Sequence, residues 1–165
     1  VLHRDVKPAN VLLSAEGIPK LADFNVSFAG AAGRAGASAS FGGSIGYMAP
    51  EHLRGLSSQS LFTEKVAEPA DLYSLGVTLW ELWQGRRPFQ CKSQVSSWSE
   101  AIQDQLAARN LPLLEPTRSH NASEEVLEAT LRSVLVSNAS LRPSSGELAS
   151  RLRLALYPEA AAHFY

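Results

Sequence analysis

The chain has 165 residues, 45% of them hydrophobic, which suits one buried core and a single domain. Its formal net charge is -1 and its nearest approach to a basic patch is Arg151 with Arg153, so no nucleic acid and no membrane contact from this segment are expected. Lone Cys91 rules out an internal disulfide and fits a reducing, cytoplasmic setting; no signal peptide is seen, and no apolar run reaches the roughly 18 residues of a membrane span, the richest stretch (Leu72 to Trp83) being broken by Ser74, Thr78 and Glu81.

In chain order, the first feature is a polar loop, His3 to Asn10, that sets Asp5, Lys7 and Asn10 close together. Val11, Leu12 and Leu13 follow as a short buried strand bounded by Ser14, Glu16 and Gly17. A turn and a second β-like run, Pro19 to Ala22, end at Asp23, so a hairpin would carry Asn10 and Asp23 toward one edge. Ala29 to Ser40 contains only Ala, Gly, Ser and Arg34; it buries too little apolar surface to offset its chain entropy and is expected to be a mobile loop.

From Asp71 the pattern becomes helical. Leu72, Leu75, Leu79, Leu82 and Trp83 recur at threes and fours, and Val77 and Trp80 make most of the circumference apolar, which predicts a core helix. Gly85 with Pro88 beyond it supplies the stop. Ser97 and Glu100 form a capping-box pattern for a helix to about Arg109, and Pro112 and Pro116 mark a connector. Ser123 starts a further helix through Leu135. Ser144 and Glu147 open the last one, with Leu148, Leu152 and Leu156 on one side. The fold class is therefore α+β, two short strands followed by a helical bundle, without internal repeats.

Three motifs in this order resemble the protein kinase family. His3-Arg4-Asp5-Val6-Lys7-Pro8-Ala9-Asn10 resembles its catalytic loop, Asp23-Phe24-Asn25 its metal-binding DFG motif with Asn25 in place of glycine, and Met48-Ala49-Pro50-Glu51 its APE motif. The resemblance implies a protein-kinase-like fold represented by a mostly helical C-terminal lobe with short β-hairpins, the N-terminal lobe being absent. Residues 1-165 would form a partial kinase domain, with the catalytic loop at 3-10, the activation segment at 23-51 and the helical core at 70-157. No counterpart of the glycine-rich phosphate loop, the strand lysine or its glutamate partner precedes this segment, so the fragment is expected to be inactive alone.

The resemblance also implies roles. Phosphoryl transfer needs an acceptor hydroxyl aimed in line and charge neutralised on the phosphates. Asp5 would be the base and Lys7 a cation reaching the γ phosphate of ATP, of the kind found in serine/threonine kinases. Asn10 and Asp23 would supply hard oxygen ligands to Mg²⁺, and Leu12 would touch the adenine. The substrate would be a protein with a Ser or Thr acceptor. Singly, each residue has an ordinary alternative: Asp5 and Asp23 as caps or turns, Asn10 as a turn former, Lys7 as a solvated surface lysine, Leu12 as core. His3 and Phe24 resemble members of an apolar stack, and His3 is read as a packed core histidine. Arg4 would clamp an activation-loop phosphate, with Ser38 and Ser40 as candidate phosphosites. Ser44 would bond the catalytic acid and lysine, Glu51 would pair with Arg142, and Asp71 would accept catalytic-loop N–H groups.

Asn25 departs from the family pattern, though Asn tolerates positive φ well. The link from His52 to Ala70 looks longer than usual, and with Asn25 it resembles some bacterial serine/threonine kinases. The alternative reading is a pseudokinase-type scaffold or regulatory binding module. Retention of Asp5, Lys7, Asn10 and Asp23 argues against it. A small-molecule phosphotransferase and an unrelated helical interaction domain are more distant rivals.

Overall fold

The computed structural model describes residues 2–24, 44–57, 68–91, 95–116 and 121–157. Arg34, Asn25, Ser38, Ser40 and the loop Ala29 to Ser40 lie outside the described residues, as does most of the long link before the core helix.

A 3-10 turn at Pro8–Asn10 leads into strand β1 (Val11–Leu13), with Pro8 at a position where a missing N–H costs nothing. β1 pairs antiparallel with β2 (Pro19–Leu21) in the register Val11↔Leu21, Leu12↔Lys20, Leu13↔Pro19. Ser14 N–H donates to Ile18 O at 3.0 Å, and Gly17, at φ +77°, takes the left-handed conformation that closes the turn. The expected buried strand is corrected here: Leu12 is 58% and Leu13 70% exposed. A three-residue apolar run cannot tell a covered strand from an uncovered ribbon, and here only Val11 is half-buried.

Helices α1 (Pro50–Ser57), α2 (Glu68–Gln84), α3 (Trp98–Ala108), α4 (Ala122–Val134) and α5 (Ser145–Leu156) follow among the described residues, with a 3-10 turn at Ala139–Leu141. α2 is the central member. Tyr73, Val77 and Trp80 on α2 join Ala49, Phe89, Leu131 and Leu135 in the main core. Gly76 lets α4 approach: a Cβ there would stand 3.1 Å from Val134 Cγ1 and 3.2 Å from Leu135 Cδ2. Buried Ser74 and Thr78 turn their hydroxyls back onto Ala70 O and Ser74 O, so neither hydroxyl is stranded inside. The apolar stripe differs from the expected one, since Leu82 is exposed and Leu75 and Leu79 are only partly buried. When nearly every face of a helix is apolar, the neighbouring helices, not the periodicity, select the buried side.

The helix ends obey capping chemistry with two corrections. Ser144 and Glu147 form the expected reciprocal box. Ser97 accepts from Glu100 N–H, but the Glu100 carboxylate bonds Ser96 N–H and Oγ instead of Ser97 N–H. α4 is capped by Asn121, not Ser123, because Asn121 has a glutamate three residues on and forms a full box with Glu124. Gly85, at φ +70°, ends α2 as anticipated. α1 went unforeseen, although Pro50 at its first position and Glu51 in its first turn are ordinary helix-start signals.

Candidate active site

The hairpin register places the loop Leu2–Asn10 beside the residues that follow β2. Ala22 N–H donates to Asn10 O at 2.8 Å, which sets Asp23, the next residue, at the same end of the hairpin as Asn10. The expected convergence at one edge is thus met by backbone pairing.

Two carboxylates organise the loop from either side. Asp71, in the first turn of α2, accepts His3 N–H at Oδ2 and Arg4 N–H at Oδ1, both at 2.7 Å, as expected. Arg4 there adopts φ +67°, and Asp23 takes φ +60°. Left-handed non-glycine residues are costly and concentrate where surrounding contacts over-determine them, often at functional sites. His3 is 4% exposed and joins the two segments. Asp5 N–H donates to Nδ1 at 3.3 Å, so the ring proton sits on Nε2, which donates to Ala22 O at 2.8 Å. Its ring meets Phe24 at 4.7 Å between centroids, consistent with the packed-histidine reading.

The second carboxylate is Asp5. Its Oδ2 accepts Lys7 Nζ at 2.7 Å and Asn10 Nδ2 at 3.1 Å, while Asn10 Nδ2 also donates to Asp5 O at 2.8 Å. Lys7 Nζ donates in addition to Ser44 Oγ at 2.7 Å, across 37 residues of sequence. Asp5, Lys7, Asn10 and Ser44 therefore form one connected polar cluster. The Lys7–Asp5 pair is mostly shielded, with side chains 21% and 17% exposed, so it is screened less than a surface pair.

A divalent cation fits these donors. Both Asn10 hydrogen bonds use Nδ2, which leaves its carbonyl Oδ1 as the atom suited to a hard cation. Among the described residues no group of three or more His, Cys, Asp or Glu side chains is arranged to hold a metal ion by itself. One amide oxygen and one carboxylate suit Mg²⁺, which keeps water and phosphate oxygens in most of its positions. Leu12 stands exposed on β1.

The segment after Ser44 is fastened to the helices at several points. Arg142 and Glu51 form the expected ion pair, bidentate at 2.6 and 2.9 Å, with the Arg142 side chain fully buried. Tyr47 Oη donates to Glu81 Oε2 at 2.5 Å, and the Arg87 guanidinium lies over its ring at 5.8 Å. Burial and the Glu81 carboxylate push the Tyr47 phenol up to about 12. Two further contributors were not foreseen. His52, on α1, is 7% exposed, and burial holds its pKa below the ordinary 6.5. Arg109, at the end of α3, donates to Met48 O, Ile45 O and Gly46 O. Its only sequence signal is a position just after a helix, where most arginines are solvated.

Residues 1–152 match the protein kinase domain family. Among curated relatives, the chain is 36% identical over 163 residues to protein kinase wis1 of Schizosaccharomyces pombe, covering 97% of this chain and 25% of that protein. It is 38% identical over 96 residues to the serine/threonine-protein kinase PknA of Corynebacterium glutamicum, covering 58% of this chain and 19% of the relative. A probable LRR receptor-like serine/threonine-protein kinase of Arabidopsis thaliana is 33% identical over 158 residues, or 91% of this chain and 15% of the relative. The chain spans a third or less of these proteins, which come from a fungus, a bacterium and a plant. With the mostly helical fold and its two-stranded hairpin, the match over 1–152 shows that the chain belongs to the protein kinase family.

Proposed function

We propose that this chain forms the C-terminal lobe of a serine/threonine protein kinase and supplies the catalytic groups with which the complete domain transfers the γ-phosphoryl of Mg-ATP to a protein hydroxyl. The observation that carries the proposal is the Asp5 carboxylate, held by Lys7 and Asn10 while Lys7 also reaches Ser44. Asp5 accepts the proton of the acceptor hydroxyl and orients its oxygen for in-line attack. Lys7 stands where it can exchange one of its present acceptors for a phosphate oxygen. Asn10 and Asp23 would hold Mg²⁺, which neutralises phosphate charge when bound. Leu12 and its exposed neighbours on the hairpin offer an apolar surface to the base.

The serine/threonine preference rests on the Lys7–Ser44 contact and on the relatives named as serine/threonine kinases. A glycine-rich half that grips the nucleotide would complete the domain, so the isolated 165-residue chain should hold Mg-ATP weakly and turn over little.

The test is transfer of labelled phosphate from Mg-ATP to a mixed protein acceptor by the complete protein, with phosphoamino-acid analysis. Label should appear on serine and threonine, and Asp5→Asn should lower the rate by about 10²- to 10⁴-fold without unfolding the protein. Undiminished transfer by Asp5→Asn, or label on tyrosine, would defeat the proposal. A folded but inert protein would favour the scaffold reading.

A further inference from the structure

Arg109 is 5% exposed, and its acceptors among the described residues are all uncharged oxygens. Nε donates to Met48 O at 2.9 Å, and Nη1 to Gln105 O at 2.9 Å and Gln105 Oε1 at 2.7 Å. Nη2 donates to Ile45 O at 3.2 Å and Gly46 O at 3.0 Å. A guanidinium has five N–H donors, and these five bonds engage all of them. Phe89 and Tyr73 lie under the cation at 4.8 and 5.9 Å, and the carbonyl end of α3 adds favourable potential.

Burying a charge without a carboxylate is costly, so the contacts it makes are informative. Arg109 spends three of its five donors on one short stretch, Ile45 to Met48. That stretch is a turn with two short-range backbone bonds of its own, Tyr47 N–H to Ser44 O at 3.1 Å and Met48 N–H to Ile45 O at 3.2 Å. The turn begins at Ser44, which accepts Lys7 Nζ, and Lys7 in turn donates to Asp5. Hydrogen bonds at both ends, joined by the short backbone stretch from Ser44 to Met48, thus connect the end of α3 with the carboxylate at the centre of the polar cluster.

We propose that Arg109 is a positioning residue for phosphoryl transfer, acting through the carbonyls of Ile45, Gly46 and Met48 to hold Ser44 against Lys7. The proposal rests on the kinase reading above for the reaction, and on the hydrogen bonds alone for the clamp. Lysine cannot replace the arginine here, since an ammonium has three donors on one nitrogen and cannot span three carbonyls and Gln105.

The experiment compares Arg109→Met, Arg109→Lys and a remote core control, Leu148→Ala, in the complete protein. Leu148 is buried against Leu72 and Val134, away from the turn. Amide hydrogen exchange at Tyr47 and Met48 should quicken by about tenfold or more in Arg109→Met, and nearly as much in Arg109→Lys. Phosphoryl transfer should show a raised KM for the protein acceptor and a reduced kcat, with KM for Mg-ATP unchanged. Leu148→Ala should alter neither these amides selectively nor the ratio of the two KM values. Should Arg109→Met fail to fold, Gln105→Ala removes one anchor of the guanidinium and should move the same two readouts in the same direction.

Exchange at Tyr47 and Met48 that stays at the unsubstituted rate, or that rises equally in Leu148→Ala, overturns the clamp. Faster exchange with unaltered acceptor kinetics overturns the positioning role. An unsubstituted protein that transfers no phosphate sinks the kinase reading instead, and exchange then decides the clamp alone.

Discussion

The catalytic-loop edge and the helical core are held together by different physics. At the loop edge, His3, Arg4, Asp5, Lys7 and Asn10 are fixed by charge-assisted bonds to Asp71, Ser44 and one another, while Leu12, Leu13, Ile18 and Phe24 stand exposed beside them. In the core, Tyr73, Val77, Trp80 and Leu131 are almost wholly removed from water. The lesson is that the reactive groups are placed by directional bonds that specify geometry, whereas stability comes from burial elsewhere. Glu51 and Arg142 join the two regimes, since that pair ties the segment after Ser44 to the helices.

The comparison breaks first at this junction. Glu51→Gln leaves the Arg142 guanidinium, whose side chain is 0% exposed, without its counter-charge, and should cost about 3 to 5 kcal/mol in urea unfolding. A loss below about 1 kcal/mol would mean that the carbonyls of Pro69, Val136 and Ser137 satisfy the arginine unaided.

A matched pair sharpens the contrast. Leu131→Ala, at a position 0% exposed, should destabilise by about 2 to 5 kcal/mol, because the cavity cannot collapse within a close-packed cluster. Leu13→Ala, at 70% exposed, should stay within about 0.5 kcal/mol. Equal losses would show that the hairpin is covered in solution.

The smallest effect is one of pH. Burial depresses the His52 pKa below 6.5, so the unfolded chain binds that proton more readily than the folded one. Its contribution is fully present above 6.5 and is lost as pH falls through the folded-state value. Unfolding free energy measured from about pH 7 down to about pH 5 should decline, and His52→Gln should flatten that slope. An unchanged slope in His52→Gln would assign the decline to other groups.

Much of the loop edge was legible in the chain because its chemistry is local. Asp5, Lys7 and Asn10 lie within one short loop, and their mutual hydrogen bonds need little long-range folding. The Ser144–Glu147 box and the Gly85 stop are likewise short-range, depending on neighbouring backbone groups. Pairings over longer separations, Glu51 with Arg142 and Asp71 with the loop, were legible only through resemblance to the kinase family, since nothing in composition or periodicity joins residues 91 or 68 apart.

What stayed hidden depends on which surfaces meet. Periodicity along α2 nominated Leu82 as readily as Val77, yet the packing of the neighbouring elements exposed the first and buried the second. Arg109 reads as a solvated cation in sequence and becomes a buried one because the turn at Ile45–Met48 brings carbonyls to it.

The sequence by itself determined the α+β class, the kinase membership and the composition of the polar loop, because motif spacing and capping are set by neighbours along the chain. Only the tertiary structure decided which face of α2 is core, that the hairpin's leucines are uncovered, and that Arg109 grips the segment bearing Ser44. Those outcomes depend on contacts between residues tens of positions apart, where burial and hydrogen-bond satisfaction are settled by all the elements together.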